Sequence, residues 1–291
     1  MSKIAIATDT CCGMHPDEAA KYGIEMLPMP FDIDGKIYHE YVDLTQAQFY
    51  DFQEKGADIT TSQPAPGEVM DFWDRILKDY DQIVYIPMSS GLSSSCSTAK
   101  MLASDEKYDG KVFVVNNQRI SVTQRSSVLD AKTMADKDWT AQQICDELER
   151  TKLESSIYIT VDTLKYLKKG GRITPAAAAV GTLLRVKPVL QIQGEKLDAY
   201  KLARTYKLAK QEMLDGIRKD IANRFGGDAS PDNVVIAMSY TYDTAAADQW
   251  KQEVQAAFPD HEIVMEPLCL VIATHIGKGA LAVTVSKKLH I

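Results

Sequence analysis

Two short segments of the chain are rich in small hydroxyl side chains and carry no charge. Residues 89–95 read Ser-Ser-Gly-Leu-Ser-Ser-Ser, and residues 60–63 read Thr-Thr-Ser-Gln before a proline. Each segment precedes a stretch that is predicted to be helical, and the amino end of a helix carries unpaired N–H groups and a partial positive charge. Hydroxyls in this position favour an anion site that is built from neutral donors.

The same residues are also typical of helix caps. Ser93 or Ser94 fits the N-cap of the next helix, and Thr61 or Ser62 fits an N-cap with prolines in the first turn. Both interpretations stay open for each segment. The recurrence of the pattern in two neighbouring segments favours a shared site.

Hydrophobic patterning identifies the elements that must position these segments. Ile83–Ile86 is a short apolar run that ends at Pro87, which predicts a buried strand, and residues 97–102 after it are predicted to be helical. A second helix is predicted from apolar residues spaced three and four apart, namely Val69, Phe72, Trp73, Ile76, Leu77 and Tyr80.

Two further polar residues lie where strands are predicted to end. Asp9 comes directly after a strand over residues 3–8, and it either acts in a site or caps the next segment of the chain. His275 comes after a strongly apolar run, which is predicted to be a strand, and precedes Gly277-Lys278-Gly279. His275 is therefore either a hydrogen-bonded core residue or a member of the site.

The sequence lacks the common catalytic and metal-binding templates. It contains no Gly-x-x-x-x-Gly-Lys-Ser/Thr and no His-Glu-x-x-His, and Ser95 stands where a Gly-x-Ser-x-Gly elbow needs its closing glycine. The five histidines show no ligand spacing. We therefore predict neither a bound metal nor a cofactor.

Composition narrows the class of protein further. The 291 residues include 33 Lys and Arg and 40 Asp and Glu, for a net charge of −7, which is unfavourable for binding nucleic acid without sequence preference. The five cysteines are odd in number and show no Cys-x-x-Cys spacing, which predicts a reducing cytoplasm. The stretches without charge are either interrupted by several serines or only about a dozen residues long, so no membrane-spanning helix is predicted.

Strands and helices alternate along the whole chain, which predicts the α/β class. Pro28 and Pro30 suggest that residues 24–33 form an edge strand. The residue composition changes after the middle of the chain. A basic helix is predicted over residues 164–169 and ends at two glycines, and a helix of small residues is predicted over 174–184 after it. We predict two domains, residues 1–153 and 154–291.

Taken together, six motifs in order resemble the DegV family over nearly the whole chain. They are Ile-Ala-Thr-Asp-Thr at 6–10, Thr-Ser-Gln-Pro at 61–64, Ser-Ser-Gly-Leu-Ser at 89–93, Leu-Lys-Lys-Gly-Gly-Arg-Ile at 167–173, Lys-Pro-Val-Leu at 187–190 and His-x-Gly-x-Gly at 275–279. The resemblance implies two α/β domains, an N-terminal one with a mostly parallel sheet flanked by helices and a C-terminal one with a mixed sheet and helices. It also implies a tunnel between the domains that holds one long-chain fatty acid of the palmitate type.

The resemblance assigns roles to individual residues. Thr61 and Ser93 would hold the fatty acid carboxylate, with Ser62, Ser94 and His275 nearby. Arg172 would lie near the head group or be structural, and Lys201 with Arg204 would face a partner, which in the best-understood branch of the family is a separate fatty acid kinase. The chain departs from the family pattern in three places: Ser94-Ser95-Cys96 replaces Gly-Thr-Tyr, Asn116-Asn117 replaces Asp-Ser, and Lys278 replaces proline.

The leading hypothesis is a cytoplasmic fatty-acid carrier without chemistry of its own, connected to phospholipid metabolism. The alternative is a serine-dependent hydrolase or transferase of acyl or phosphoryl groups, with Ser93 as nucleophile and His275 as base. A third hypothesis is a small-molecule sensor that regulates another protein. Neither nucleic acid nor a membrane is predicted as a stable partner.

Overall fold

A computed structural model of the chain describes residues 2–180 and 186–290, and these residues form two compact units. Unit 1 comprises residues 2–152 together with Cys269–Val271, and unit 2 comprises Leu153–Leu268 together with Ile272–His290. The predicted assignment of residues 1–153 and 154–291 to separate domains stays a prediction, as does the tunnel.

The strands are, in chain order, β1 (Ile4–Asp9), β2 (Ile24–Leu27), β3 (Pro30–Ile33), β4 (Lys36–His39), β5 (Ile59–Thr61), β6 (Gln82–Ile86), β7 (Val112–Val114), β8 (Ser155–Thr160), β9 (Lys187–Ile192), β10 (Asp198–Ala203), β11 (Val234–Tyr240), β12 (Val264–Pro267) and β13 (Leu281–Lys287). The α-helices are α1 (Pro16–Lys21), α2 (Gln46–Glu54), α3 (Pro66–Ile76), α4 (Ser95–Ala103), α5 (Val122–Asp136), α6 (Ala141–Arg150), α7 (Lys165–Gly170), α8 (Pro175–Val180), α9 (Tyr206–Arg224), α10 (Thr244–Ala257) and α11 (Leu270–Ile276). None of the helices in these described ranges is long and apolar enough to cross a lipid bilayer.

Unit 1 is built on a parallel sheet with strand order β2-β1-β6-β7 among the described residues. The predicted strand over Ile83–Ile86 is confirmed as β6, and the predicted amphipathic helix is confirmed as α3. The core beside α3 contains a cluster of aromatic rings. The Trp73 ring packs edge-on against Tyr85 and Tyr108, at centroid distances of 5.9 and 5.2 Å. The Thr-x-x-Gln patterns at Thr45 and Thr140 are typical of capping boxes, and both boxes are present at the starts of α2 and α6.

The predicted edge position of residues 24–33 is confirmed for the first half of the segment, but the prediction of one continuous strand is wrong. The segment divides into β2, which pairs with β1, and β3, which forms a separate small antiparallel sheet of order β4-β3-β5. Pro28 and Pro30 lack the N–H groups that a continuous ladder needs, and the Met29 N–H between them donates instead to Thr10 Oγ1 at 3.1 Å. The chain therefore leaves one sheet and enters the other at this point.

Unit 2 is built on a mixed sheet with strand order β10-β9-β8-β13-β11-β12 among the described residues. Only the β11 and β12 pair is parallel in that range, so the α/β class with a parallel N-terminal and a mixed C-terminal sheet is confirmed. Helix α9 packs on the sheet with Gly216 facing the buried Tyr158 ring, whose hydroxyl donates to Asp220 Oδ2 at 2.7 Å.

The segments around the later motifs of unit 2 are helical. The apolar run before His275 is not a strand but the helix α11, and a short apolar run does not distinguish these two structures by its pattern. The basic helix is confirmed as α7, which ends at Gly171 with a left-handed φ of 69°. The helix of small residues is present as α8, and its predicted continuation over residues 181–184 lies outside the described residues.

The substitution Gly216→Ala tests the close approach of α9 to the sheet. A Cβ at this position would lie 2.8 Å from Tyr158 Cε1, and that ring is buried and tied to Asp220. We expect a loss of about 1–3 kcal/mol in the free energy of unfolding by urea denaturation.

The matched control is Gly67→Ala in α3, where nothing lies within 4 Å of the added carbon. Alanine should stabilise that helix by roughly 0.5–1 kcal/mol. Equal effects of the two substitutions would contradict the packing described for α9.

Candidate functional site

The Thr-Ser-Gln-Pro segment of unit 1 begins at the end of a strand and does not cap a helix. Thr61 is the last residue of β5, pairs with Phe31 and is half-buried, and Ser62 after it is exposed. Helix α3 begins at Pro66 with Ala65 as its N-cap, so the capping interpretation of Thr61 and Ser62 is wrong. The prolines place several residues between the hydroxyls and the helix.

The serine segment forms a tight turn between β6 and α4. The N–H groups of Leu92 and Ser93 both donate to the Ser89 carbonyl, at 3.0 and 3.1 Å, and the Ser89 N–H donates to the Arg119 carbonyl at 2.9 Å. Ser94 is the N-cap residue of α4, but its side chain makes no capping hydrogen bond.

Ser93 combines a local structural role with an unused donor. Its Oγ accepts the Ser95 N–H at 3.2 Å, which gives the start of α4 a hydrogen bond of the capping kind. The Ser93 hydroxyl proton has no acceptor in the described part of the chain, and the side chain is half-buried. Ser93 can therefore accept from its own backbone and donate to a ligand oxygen at the same time.

A hydrogen bond links the Thr-Ser-Gln-Pro segment to the helix that follows the serine segment. Thr98 Oγ1, on the first turn of α4 after the serines, donates to Gln63 Oε1 at 2.9 Å. Because Gln63 lies two residues after Thr61, this bond holds the end of β5 beside the start of α4 within unit 1. This hydrogen bond is compatible with the anion-site interpretation, and the convergence of Thr61 and Ser93 on one ligand stays a prediction.

Ser95 is a functional candidate that the sequence analysis did not single out. Its side chain is buried at 6% exposure, and its Oγ has no hydrogen-bond partner among the described residues. A buried hydroxyl without a partner is unfavourable unless a ligand or water satisfies it. Its place in a run of similar serines hid it, because only the fold shows which of them face inward.

Asp9 anchors the strand that leads into the serine turn. It is fully buried, and its carboxylate accepts the N–H groups of Cys11 at 3.0 Å and Met88 at 2.8 Å, together with Gln124 Nε2 at 3.2 Å. The capping interpretation of Asp9 is confirmed by the Cys11 bond. Burial raises the pKa of the Asp9 carboxyl to about 6, although all three hydrogen bonds oppose the shift.

A second buried carboxyl in unit 1 holds the start of α11. Glu40 is 1% exposed, and its Oε1 accepts the Leu270 N–H at 2.9 Å. Burial raises the pKa of Glu40 to about 8, against hydrogen bonds from Leu270, Cys269 and Thr10. No pattern in the sequence marks Glu40, because its partners lie far along the chain.

In unit 2, His275 packs against the double-glycine motif. A Cβ at Gly170 would lie 2.1 Å from His275 Nδ1, so only glycine allows the ring to occupy this place. Burial, assisted by the Arg172 charge, lowers the pKa of His275 to about 4. The ring is therefore neutral at physiological pH, with one nitrogen able to donate and the other able to accept.

The basic residues of the motifs in unit 2 are engaged or lie at the surface. Arg172 donates to the Gly170 carbonyl, and Lys187 Nζ donates to Asp162 Oδ1 at 2.8 Å. Lys201 and Arg204 are exposed. The first two residues hold the loops of unit 2 together, and the exposed pair is accessible from solvent.

A groove of about 630 Å³ in unit 1 does not suit an acyl chain. It lies at the opposite end of the parallel sheet, beside Ile4 and Gln82, where β1 and β6 begin, and Lys21, Lys132 and Asp136 are among the residues that line it. Ligands of open α/β sheets bind at the carboxyl ends of the strands, which is where the serine turn lies. No group of three His, Cys, Asp or Glu residues in the described ranges is arranged to hold a metal ion.

Comparison with known proteins supports one family throughout the chain. A family described as uncharacterised proteins of the DegV family matches residues 3–288. A DegV domain-containing protein of Listeria innocua is 30% identical over 289 residues, covering 98% of this chain and 99% of that protein.

Two similar solved structures are described as fatty-acid-binding proteins. A DegV family protein from Thermus thermophilus, solved as a study of its fatty acid binding, is 29% identical with a TM-score of 0.88 and covers 98% of this chain and 100% of its own. DegV of Bacillus subtilis, described as a fatty acid binding protein, is 27% identical with a TM-score of 0.87. The match covers 99% of this chain and 100% of the Bacillus chain.

The pH dependence of stability tests the protonation of Glu40. Its carboxyl has a pKa of about 8 in the folded protein and 4.5 as an ordinary side chain, so between these values the folded state holds a proton that the unfolded chain releases. This stabilisation is full below the lower value and is lost as the pH rises through the higher one. We expect the free energy of unfolding to fall by a few kcal/mol between about pH 6.5 and 8.5, with a much smaller slope for Glu40→Gln.

Urea unfolding at closely spaced pH values measures both slopes. Glu149→Gln is the control, because the pKa of Glu149 is lowered by its bonds to Lys100 and the Asn116 N–H, so that it is ionised in both states over this range. Identical slopes for the wild type and Glu40→Gln would show that the buried carboxyl does not titrate in this window.

Proposed function

Because the chain belongs to the DegV family, we propose that it binds a long-chain fatty acid and holds the carboxylate with neutral hydrogen-bond donors. The family resemblance of the six motifs is confirmed by this membership. The observation that supports the proposal is the Thr98–Gln63 bond, which links the Thr61 segment to the helix that follows the serine turn. The fatty acid binding described for the Thermus and Bacillus proteins supports the ligand class.

The donors in unit 1 match what a carboxylate needs. The Ser93 hydroxyl proton is unused, the Ser95 hydroxyl is buried without a partner, and the first N–H groups of α4 have no partners within the helix. Residues 60–66 and 87–97 contain no charged side chain. We propose that Thr61 and Ser93 hold the carboxylate and that Ser62 and Ser94 line its approach.

The hydrocarbon tail supplies most of the binding free energy in this proposal. Each buried methylene contributes about 0.8 kcal/mol, so a tail of about 16 carbons can supply on the order of 10 kcal/mol after ordering costs. The head group then needs orientation more than strong charge pairing. An unpaired buried cation would be unfavourable in the empty protein, and hydroxyls avoid it.

We propose further that the protein has no chemistry of its own and presents the carboxylate to a separate fatty acid kinase. We propose the cytoplasm as its location and phospholipid metabolism as the process to which it contributes. The exposed pair Lys201 and Arg204 is available for such a partner. The hydrolase alternative is disfavoured because a histidine with a pKa of about 4 is a weak general base at neutral pH. Labelling of Ser93 by an active-site serine probe would reverse this preference.

Native mass spectrometry of the protein purified from bacterial cells tests the ligand class directly. We expect a mass increment that corresponds to one fatty acid, and the same acid should be recovered by organic extraction and identified by gas chromatography. A protein that carries no lipid, and that takes up none from added palmitate, would refute the proposal.

Substitution of Thr61 and Ser93 tests the head-group site. Each hydroxyl that donates to a carboxylate contributes about 1.5 kcal/mol or more, so Thr61→Ala and Ser93→Ala should each weaken palmitate binding by roughly 10-fold. Isothermal titration calorimetry with delipidated protein measures the affinities.

The matched controls preserve residue type and neighbourhood. Thr60→Ala lies on the opposite face of β5, and Ser97→Ala lies exposed on α4, so both should bind as the wild type does. Unchanged affinity in the double variant of Thr61 and Ser93 would place the head group elsewhere.

The pH profile of binding tests the predicted contact of His275 with the head group. Since the pKa of His275 is about 4, the ring stays neutral between about pH 5.5 and 8, and the wild type should show no inflection near 6.5. If the ring contacts the carboxylate, the affinity of His275→Gln should be lower than that of the wild type by the same factor at every pH in this range. A step near pH 6.5 that is present only in the wild type would show that the ring becomes charged.

A further inference from the structure

Two cysteine sulfurs from distant parts of the chain meet inside unit 1. Cys11 lies in the 3₁₀ turn Thr10–Cys12 after β1, and Cys269 directly precedes α11. Their Sγ atoms are 2.9 Å apart, although 258 positions separate them in the sequence. Both are thiols, and the exposed fractions of the side chains are 0% and 3%.

Hydrogen bonds fix the main chain on both sides of this pair. The Cys11 N–H donates to Asp9 Oδ1 at 3.0 Å, and the Leu270 N–H next to Cys269 donates to Glu40 Oε1 at 2.9 Å. The main chain beside each sulfur is thus fixed, and an approach of less than 1 Å would bring the two sulfurs from 2.9 Å to the disulfide bond length of about 2.05 Å.

The other cysteines of the chain have different surroundings. The Sγ atoms of Cys96 and Cys145 point to the carbonyls of Val115 and Val114, at 4.0 and 3.9 Å, beside β7. Cys12 neighbours Cys11 in the sequence, and adjacent cysteines rarely meet the geometry of a disulfide. The short contact therefore selects one pair.

We propose that Cys11 and Cys269 are an oxidation site at which a hydroperoxide produces an intrachain disulfide. The Cys269 sulfur attacks the outer peroxide oxygen, the O–O bond breaks, and the alkoxide leaves with the thiol proton as an alcohol. The Cys11 sulfur then attacks the resulting sulfenic acid, the S–S bond forms, the S–O bond breaks, and water leaves with the second thiol proton. Two thiols are oxidised by two electrons, and the peroxide is reduced to alcohol and water.

The surroundings of the pair determine when this reaction occurs. Burial raises the pKa of the Cys11 thiol, so little thiolate is present and the dithiol is the resting state in a reducing compartment. Proximity favours the second step, because the partner sulfur is already in contact. The product anchors Cys269, which directly precedes α11, to the turn after β1 within unit 1.

Peptide mapping of the full-length protein tests the site. The reduced protein is treated with hydrogen peroxide, remaining thiols are alkylated, and the digest is analysed by tandem mass spectrometry. We expect a crosslinked peptide that joins Cys11 to Cys269 and disappears with dithiothreitol, while Cys96 and Cys145 are recovered alkylated. A Cys11–Cys12 bond, an intermolecular bond through Cys145, or sulfinic acids without a crosslink would overturn the proposal.

Two variants and a stability measurement complete the test. Cys12→Ser should still form the crosslink, and Cys269→Ser should not. Oxidation should raise the thermal midpoint of the wild type and of Cys12→Ser by several degrees, reversibly with dithiothreitol, because the bond closes a very long loop. If Cys269→Ser does not fold, the peptide map of the wild type and the reversible shift of its thermal midpoint are sufficient to test the proposal. A midpoint that stays unchanged or falls when the crosslink forms would refute the anchoring of Cys269.

Discussion

The burial of the Asp9 carboxylate is the constraint on which the candidate site of unit 1 depends. A carboxylate withdrawn from water is strongly unfavourable unless donors replace the lost solvation, and three donors from separate elements converge on this one. They tie β1 to the 3₁₀ turn after it, to the end of β6 and to helix α5. The Ser89 N–H, one residue after Met88, is fixed in turn by the Arg119 carbonyl. Hydrogen bonds therefore fix the main chain where the serine turn begins.

Glu40 is a buried carboxyl with a different set of donors, of which only one is a backbone N–H. The structure gives Asp9 two short backbone bonds and an amide, whereas it gives Glu40 the Leu270 N–H as its only backbone donor among the described residues, and its Oε2 is buried without a hydrogen bond of normal geometry in that range. Burial accordingly raises the pKa of Glu40 to about 8 and that of Asp9 only to about 6. At neutral pH Asp9 is an acceptor for backbone donors, and Glu40 is mostly protonated. The same physics thus gives one carboxylate that organises a site and one neutral acid that holds a helix start.

The sequence is sufficient for the features that depend on neighbouring residues. The apolar run of β6 before Pro87 and the capping box at Thr45 contain their own signals, and both are where the sequence places them. The division of residues 24–33 between two sheets and the helix before His275 do not follow from the sequence, because a local pattern does not show which sheet a segment joins or whether a short apolar run is helix or strand. Asp9 and Gln124 lie 115 positions apart, so no spacing reveals their bond. The roles of Thr61, Ser93, Ser62, Ser94, Arg172, Lys201, Arg204 and His275 toward a ligand or partner stay predictions, since they depend on a molecule that the chain does not contain.

The choice of hydroxyls over cations has a structural logic that derives from these contacts. Two charged side chains of the motifs in unit 2 already have partners, because Arg172 donates to the Gly170 carbonyl and Lys187 donates to Asp162. They therefore stabilise loops whether or not an anion is bound. Ser93 differs because it accepts the Ser95 N–H and still has a proton to donate, and a hydroxyl that accepts a hydrogen bond becomes a better donor. In the empty protein this proton can turn to water without leaving a buried charge unpaired. Under the proposed function, a fatty acid would gain orientation from the head group and affinity from its tail, and its release would require only that neutral hydrogen bonds exchange with water. Such donors would suit a protein that both loads and releases its ligand better than an ion pair, which would hold the carboxylate more strongly.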